Sequence, residues 1–230
     1  MAGKFTLELL QESLPSLLKG EKPGLSTQLK LSPMPPPSIL TFRDVWPSCL
    51  RAAVLLLLYS RHRAPYLVFI RRSSQGNHHQ NQISFPGGQI NEPESVEEAA
   101  IRETQEEIGL NIDNILVAGE LTPLYVQTSN YCIFPVVAIT RRKPVFIPNA
   151  VEVAEVIEVP LAHLMERQNL KQEVWTLRGQ EMLVPYYQYG EHKIWGATAM
   201  ILAEFLEILT RIIHSPIDYS QGKSRKLRKT

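Results

Sequence analysis

The stretch that decides the fold runs from residue 87 to 110: Gly87-Gly88-Gln89-Ile90-Asn91-Glu92-Pro93-Glu94, then, past Ser95, Arg102-Glu103-Thr104-Gln105-Glu106-Glu107-Ile108-Gly109-Leu110. Pro93 and Ser95, acids in the first turn, good helix formers and a closing Gly109 predict a helix from about Val96 to Ile108. At about 100° per residue, Glu103 and Glu107 fall on the same arc as Val96 and Ala100, with Glu106 on its edge. Two carboxylates are thus aimed at the side of the helix that packs.

Between Glu92 and Glu107 there are seven glutamates and one arginine. Like charges four residues apart destabilise a helix, and a partly buried carboxylate is costly unless a proton, an arginine or a cation neutralises it. One arginine cannot neutralise three glutamates. Hard oxygen donors without histidine or thiolate suit Mg²⁺ or Mn²⁺, and Mg²⁺ commonly completes its shell with substrate phosphates. Taken alone, an acidic helix is also compatible with a solvated face laced with pairs such as Glu98 and Arg102.

Outward from the helix, Arg51 to Tyr59 and Tyr66 to Arg71 are apolar, β-branched or aromatic runs across a polar turn, a hairpin signal. Strand-like runs follow at Ile115 to Ala118, Tyr131 to Thr140 and Glu152 to Val159. Pro160 opens a short helix over Leu161 to Arg167, a β pair is expected at Glu173 to Leu177 and Met182 to Tyr187, and a long helix runs from Ala197 to about Ile213. Strands, helix, strands, helix imply an α+β or mixed-sheet sandwich. Leu7, Leu10, Leu14 and Leu17 have helical spacing, and Pro15 either starts a second turn or breaks the first, which predicts one short helix or two; the proline-rich run from Lys22 to Ser38 reads as a surface linker. The expected organisation is an N-terminal helical segment with linker over 1–38, a catalytic-sized domain over 39–214 and a basic tail over 215–230.

With 230 residues, 44% hydrophobic and 20% charged, the chain has the composition of an ordinary globular protein, not a disordered or collagen-like one. Its longest apolar run, Ala52 to Tyr59, is far short of the roughly 20 residues that span a bilayer. Two cysteines, Cys49 and Cys132, make no disulfide framework and no four-ligand zinc site. Cys132 reads as a buried thiol, and a reducing cytoplasm as the compartment. The net charge of +1 hides five basic residues between Lys223 and Lys229, without which the body is acidic. That tail reads as a solvated end, so no nucleic-acid partner and no membrane are expected.

Gly88, Glu94, Arg102, Glu103, Glu106, Glu107 and Gly109 stand at the spacing of the Nudix box, and the sequence resembles the Nudix hydrolase superfamily. The resemblance implies an α/β/α sandwich with a mixed β-sheet, and a loop–helix–loop that holds Mg²⁺ or Mn²⁺ for attack of water on a diphosphate. It assigns Glu103, Glu106 and Glu107 to the metal, with Glu106 a ligand or the water-activating base and Gly88 offering its carbonyl. Arg102 orients a carboxylate, and Glu94 closes the loop structurally beside Gly87 and Gly109. Thr104 occupies a box position that is usually apolar. Members often dimerise, which makes a homodimer the assembly to look for.

Outside the box the chain is similar to the coenzyme A diphosphatase branch. The carriers are Arg72-Ser73, Phe85-Pro86-Gly87-Gly88, Thr128-Ser129-Asn130-Tyr131, Phe134-Pro135-Val136-Val137, Glu152-Val153 with Val159-Pro160, and Trp195-Gly196-Ala197-Thr198-Ala199. The substrate implied is a CoA-like nucleotide diphosphate, with Arg71, Arg72, Phe85 and Tyr131 as candidate contacts. Tyr131, Phe134 and Trp195 either stack on adenine and line a pantetheine channel or belong to the core. The branch motif is broken upstream of the box: Asn77 stands where it has arginine and Asn81 where it has glycine, while His78 and His79 supply little charge at neutral pH. A nucleoside diphosphate conjugate such as an ADP-sugar, a dinucleotide or a capped nucleotide is therefore a second substrate class, and a nucleotide-sensing module a third reading.

Overall fold

The computed structural model describes residues 6–35, 40–74, 81–111 and 115–214. Its centre is a mixed eight-stranded sheet built on β1 (Leu50–Arg61), which turns back into β2 (Ala64–Arg72). The short strands β3 (Ile83–Ser84) and β4 (Gly87–Gln89) lead into α4 (Val96–Ile108), which follows α1 (Leu7–Lys19), α2 (Leu25–Gln28) and α3 (Phe42–Val45) in chain order. β5 (Ile115–Glu120), β6 (Leu124–Val126), β7 (Tyr131–Thr140) and β8 (Val153–Pro160) complete the sheet. After α5 (Leu161–Leu164), β9 (Leu170–Leu177), β10 (Gln180–Tyr189) and β11 (His192–Trp195) form a separate three-stranded sheet, and α6 (Gly196–His214) closes the described chain.

The β1–β7 pairing is parallel and ten residues long, from Leu50↔Tyr131 to Tyr59↔Thr140. Strand alternation then sorts the core into two layers. Ala53, Leu55, Leu57 and Tyr59 of β1 pack under α4 with Ala99, Ala100 and Ile108. Leu56 and Leu58 pack on the other face with Phe205, Leu209 and Ile212 of α6. The mixed sheet between helices is the architecture expected, and the helix bounds Val96 to Ile108 coincide with the sequence reading. They do so for local reasons. Ser95 accepts from the Glu98 N–H while Glu98 accepts from the Ser95 N–H, and Gly109 ends the helix at φ 66°, which costs a residue without a Cβ little.

At the N-terminus one expectation is resolved and one gives way. α1 runs unbroken through Pro15, with Leu7, Leu10, Leu14 and Leu18 buried in the α6-side core. Four buried leucines at roughly 2 kcal/mol each outweigh the ~3 kcal/mol that an interior proline costs. The region from Lys22 onward is no surface linker in its described part, because Thr27, Gln28, Leu31 and Ser32 are buried. The fully buried Glu204 of α6 holds it there, accepting from Gly24 N–H (3.1 Å), Gln28 Nε2 (2.8 Å) and Thr122 Oγ1 (2.6 Å). The N-terminal segment is therefore part of the same core as the domain.

The free buried thiol expected at Cys132 is also corrected, since Cys49 and Cys132 form a disulfide across the first residues of the β1–β7 pair. Among the described residues no helix is long and apolar enough to cross a membrane. The basic tail, Asn77, His78 and His79 lie outside the described residues.

Candidate active site

β4 brings the box onto the sheet. It runs antiparallel to β1, with Val54 opposite Gly87 and Ala53 opposite Gly88. Gly87 lies against β1 so closely that a Cβ there would sit 2.2 Å from the Ala53 carbonyl oxygen, and its φ of 146° suits glycine. At Gly88 the space a Cβ would fill is taken by the Glu103 carboxylate, 2.2 Å from that position.

The three box glutamates differ sharply in setting. Glu107 has a 3% exposed side chain, Glu103 18% and Glu106 55%. Glu107 Oε2 accepts the Gly87 N–H at 2.8 Å, and Arg72 Nη1 lies 3.5 Å from its other oxygen. Burial pushes the Glu107 carboxyl up to about 7, against the lowering effects of Arg72 and the Gly87 N–H. Burial also raises Glu103, with Arg102 opposing it. Arg102 gathers the rest: Nε and Nη2 fork Glu94 at 2.9 and 2.7 Å, Nη1 reaches Glu103 at 2.8 Å and Glu106 at 3.2 Å, and Nη2 also reaches the Gln89 carbonyl. The guanidinium holds the Glu94 carboxyl down at about 2, so this side chain stays ionised and ties the 89–94 loop to the helix. Thr104, fully buried, gives its hydroxyl proton to the Ala100 carbonyl at 2.7 Å, which satisfies it at a usually apolar position.

The substrate candidates scatter. Arg72 stands at the site, donating from Nη2 to the Gly87 carbonyl at 3.1 Å as well as pairing with Glu107. Arg71 points to the opposite sheet face and pairs with Glu155 at 3.1 Å. Phe85 is 1% exposed and stacked on Phe69 at 4.8 Å, so it is a core residue and not a contact. Tyr131, Phe134 and Trp195 are not brought together. Alternation along β7 puts Tyr131 on the face away from α4, Phe134 on the α4 face beside Phe42 at 6.1 Å, and Trp195 packs against Trp175 in the smaller sheet. Asn81 has φ 58°, the left-handed region where the branch motif's glycine is at ease and where asparagine is the best-tolerated replacement.

Glu152 is the residue that sequence reasoning missed. Its charge acts on both Glu103 and Glu107, and its carbonyl accepts the Ser73 N–H at 2.8 Å, next to Arg72. The segment leading to it clamps the end of α4: Ile147 N–H bonds the Ile108 carbonyl and Asn149 N–H the Glu107 carbonyl, both at 2.8 Å. The only sequence signal was its place in the Glu152-Val153 pair of the branch signature.

Four carboxylates around a glycine cradle, with no nitrogen or sulfur donor, suit a hard divalent cation. Among the described residues no group of three stands in metal-holding geometry. Glu103 and Glu106 are turned onto Arg102, and Glu107 onto Gly87 and Arg72.

Comparison with known proteins agrees with this geometry. The NUDIX domain model matches residues 50–177. The mitochondrial coenzyme A diphosphatase of Homo sapiens is 35% identical over 170 residues, covering 72% of each chain. The Nudix hydrolase NudL of Photorhabdus laumondii is 33% identical over 158 residues, 68% of this chain and 83% of its own. A MutT/nudix family protein from Enterococcus faecalis superposes with a TM-score of 0.51 at 19% identity, covering 74% of this chain and 66% of that one, and so shares the fold. The box glutamates, their arginine and the glycine cradle lie on one loop–helix unit within the matched region, and this chain belongs to the Nudix family, of which it is a diphosphatase.

Proposed function

We propose that the protein hydrolyses the diphosphate of coenzyme A or an acyl-CoA in the presence of Mg²⁺ or Mn²⁺, giving 3′,5′-ADP and (acyl-)4′-phosphopantetheine. The observation that supports this substrate is the coenzyme A diphosphatase of Homo sapiens at 35% identity, aligned over a region that holds the whole box. The observation that supports the chemistry is the carboxylate cluster itself.

Glu103, Glu106 and Glu107, with the Gly88 carbonyl, would hold the cation, which when bound neutralises diphosphate charge and lowers the pKa of water. Glu107 is the fixed member, anchored by Gly87 and Arg72. Glu103 and Glu106, which Arg102 holds at 2.8 and 3.2 Å, would have to leave it to reach the cation, and Arg102 would keep its fork on Glu94. Glu106, the most exposed of the three, or Glu152 across the cleft would take the proton of the attacking water. Arg72 holds the Gly87 carbonyl and balances Glu107, and its partly exposed guanidinium would be available to a phosphate oxygen.

The second reading, another nucleoside diphosphate conjugate, is favoured by Asn77, a neutral amide where the branch has a phosphate-forking arginine. The cytoplasm is the compartment proposed from the composition, and the Cys49–Cys132 disulfide counts against it. Finding Cys49–Cys132 oxidised in cells lysed into an alkylating agent would instead assign an oxidising compartment.

The test is a product assay of the purified chain with Mg²⁺ or Mn²⁺ on CoA, dephospho-CoA, ADP-ribose, NADH and diadenosine polyphosphates, read by mass spectrometry. 3′,5′-ADP from CoA, well ahead of the other products, is expected. Inert CoA alongside a cleaved alternative would transfer the site to the second reading, and ligand binding with no hydrolysis would make it a sensor.

A further inference from the structure

The smaller sheet has an open side. Its order is β11-β10-β9, so β9 is an edge strand of eight residues, Leu170-Lys171-Gln172-Glu173-Val174-Trp175-Thr176-Leu177. Edges of this kind in stable monomers are short, covered, interrupted by proline or bulges, or guarded by charged side chains, and the charges here, Lys171 and Glu173, are of opposite sign. This one contains no proline, and no described strand pairs with its outer side. Val174 is 62% exposed and Leu170 42%.

The register says which groups point outward. Leu183 of β10 lies opposite Val174, and it exchanges both of its backbone hydrogen bonds with Met34, at 2.9 Å each way, on the side away from β9. Opposite residues of an antiparallel ladder alternate between bonded and non-bonded pairs. Val174 therefore turns its N–H and C=O to the open edge, and Gln172 and Leu170, two and four residues before it, do the same.

We propose that this edge pairs with the same edge of a second copy, antiparallel about a two-fold axis at Gln172. In that register Gln172 faces Gln172, Leu170 faces Val174 twice, and these outward-pointing residues exchange about six backbone hydrogen bonds. On the alternate positions Lys171 of each copy faces Glu173 of the other as non-bonded pairs, where side chains approach most closely. The neighbouring registers with the same outward parity lose this match: a two-fold at Lys171 sets Lys171 against its own copy, and one at Glu173 sets Glu173 against its own copy, like charges in both cases. Glu173 is fixed for the purpose, since it already accepts from Lys193 Nζ, Tyr186 Oη and Trp175 Nε1 and is held ionised, while its side chain remains partly exposed. Two small sheets joined this way become one continuous six-stranded sheet with both central edges paired. The occupant is a second copy because the strand is complementary to itself in charge and apolar character at once.

The full chain should sediment as a dimer across a concentration series. Lys171→Glu should raise the dimer dissociation constant at least about tenfold by placing two like-charge pairs at the axis, and adding Glu173→Lys to it should restore the dimer. Gln172→Cys is a second, independent test, because bonded partners stand about 5.5 Å apart at Cα, within disulfide range. Mild oxidation should cross-link that variant to twice its mass, and should leave Thr176→Cys single. A monomeric wild type, or a dimer indifferent to Lys171→Glu whose Gln172→Cys form does not cross-link, would overturn the proposal. Far-UV circular dichroism of each variant separates loss of pairing from loss of folding.

Discussion

Glu107→Gln should make the metal-free protein more stable at pH 8, although it removes a residue on which turnover depends. In the folded chain the carboxyl titrates at about 7, against 4.5 for an unburied glutamate, because burial penalises its charge. Between those two values the folded chain holds a proton there that the unfolded chain has released, so unfolding free energy falls as pH rises through the window. The full difference corresponds to ~3 kcal/mol, and with a side chain only 3% exposed no screening discount applies. Glutamine keeps an acceptor for the Gly87 N–H and never ionises, so its stability should lack this fall. Urea unfolding in EDTA at a series of pH values from 4.5 to 8 measures it. The difference between wild type and variant isolates Glu107 from the other carboxyls that burial raises, Glu103, Glu120 and Glu158. Adding Mn²⁺ at pH 8 should stabilise the wild type, by roughly 2.7 kcal/mol at a hundred times its dissociation constant, and leave Glu107→Gln nearly unchanged. Parallel stability–pH curves for the two proteins in EDTA would refute the assignment of a near-neutral buried carboxyl.

The adjacent glycines should separate folding from metal binding. Gly87→Ala drives a Cβ into the Ala53 backbone at a strained φ and should cost roughly 2–4 kcal/mol in urea unfolding, whereas Gly88→Ala meets only the movable end of Glu103 and should keep its Tm while losing Mn²⁺ affinity in calorimetry. Arg72→Ala removes the cation that lowers the Glu107 carboxyl, so the acid limb of the kcat/KM profile should move to higher pH, and KM should rise far more than kcat falls; unchanged KM would end its substrate role. Reduction of Cys49–Cys132, which closes a loop of 83 residues, should lower stability by up to about 4.5 kcal/mol on the chain-entropy account, seen as a lower denaturation midpoint with a phosphine reductant.

What was legible in the sequence was what local chemistry writes. The Ser95–Glu98 capping box and the left-handed Gly109 bracket α4 within a few bonds of the residues they cap, so its limits followed from the string alone. β7 was legible from its run of strand formers from Tyr131 to Thr140, broken only by Pro135. β4 was not, because Gly87-Gly88-Gln89 has no strand propensity and exists only by pairing with a strand more than thirty residues earlier. Phe85 and Tyr131 show the same limit at the site. Residue type named both as contacts, but the packing of the connection between β3 and β4 put Phe85 on Phe69 in the core, and the β7 register turned Tyr131 away from the glutamates. The disulfide and Glu152 were hidden for a related reason, since each acts across a long stretch of chain with no motif between.

The region matched by the family model stops short of the unit that folds. A protein cut to residues 50–177 would retain every carboxylate of the site, yet it would lose α1, α2, α6 and the Glu204 knot that ties α6 to Gly24, Gln28 and Thr122. The sheet face carrying Leu56 and Leu58 would then lie bare to water. Such a fragment should aggregate rather than catalyse, so for this protein the boundary useful to an experimenter is set by what covers the second face of the sheet, and lies at least as far out as Thr6 and Ile212.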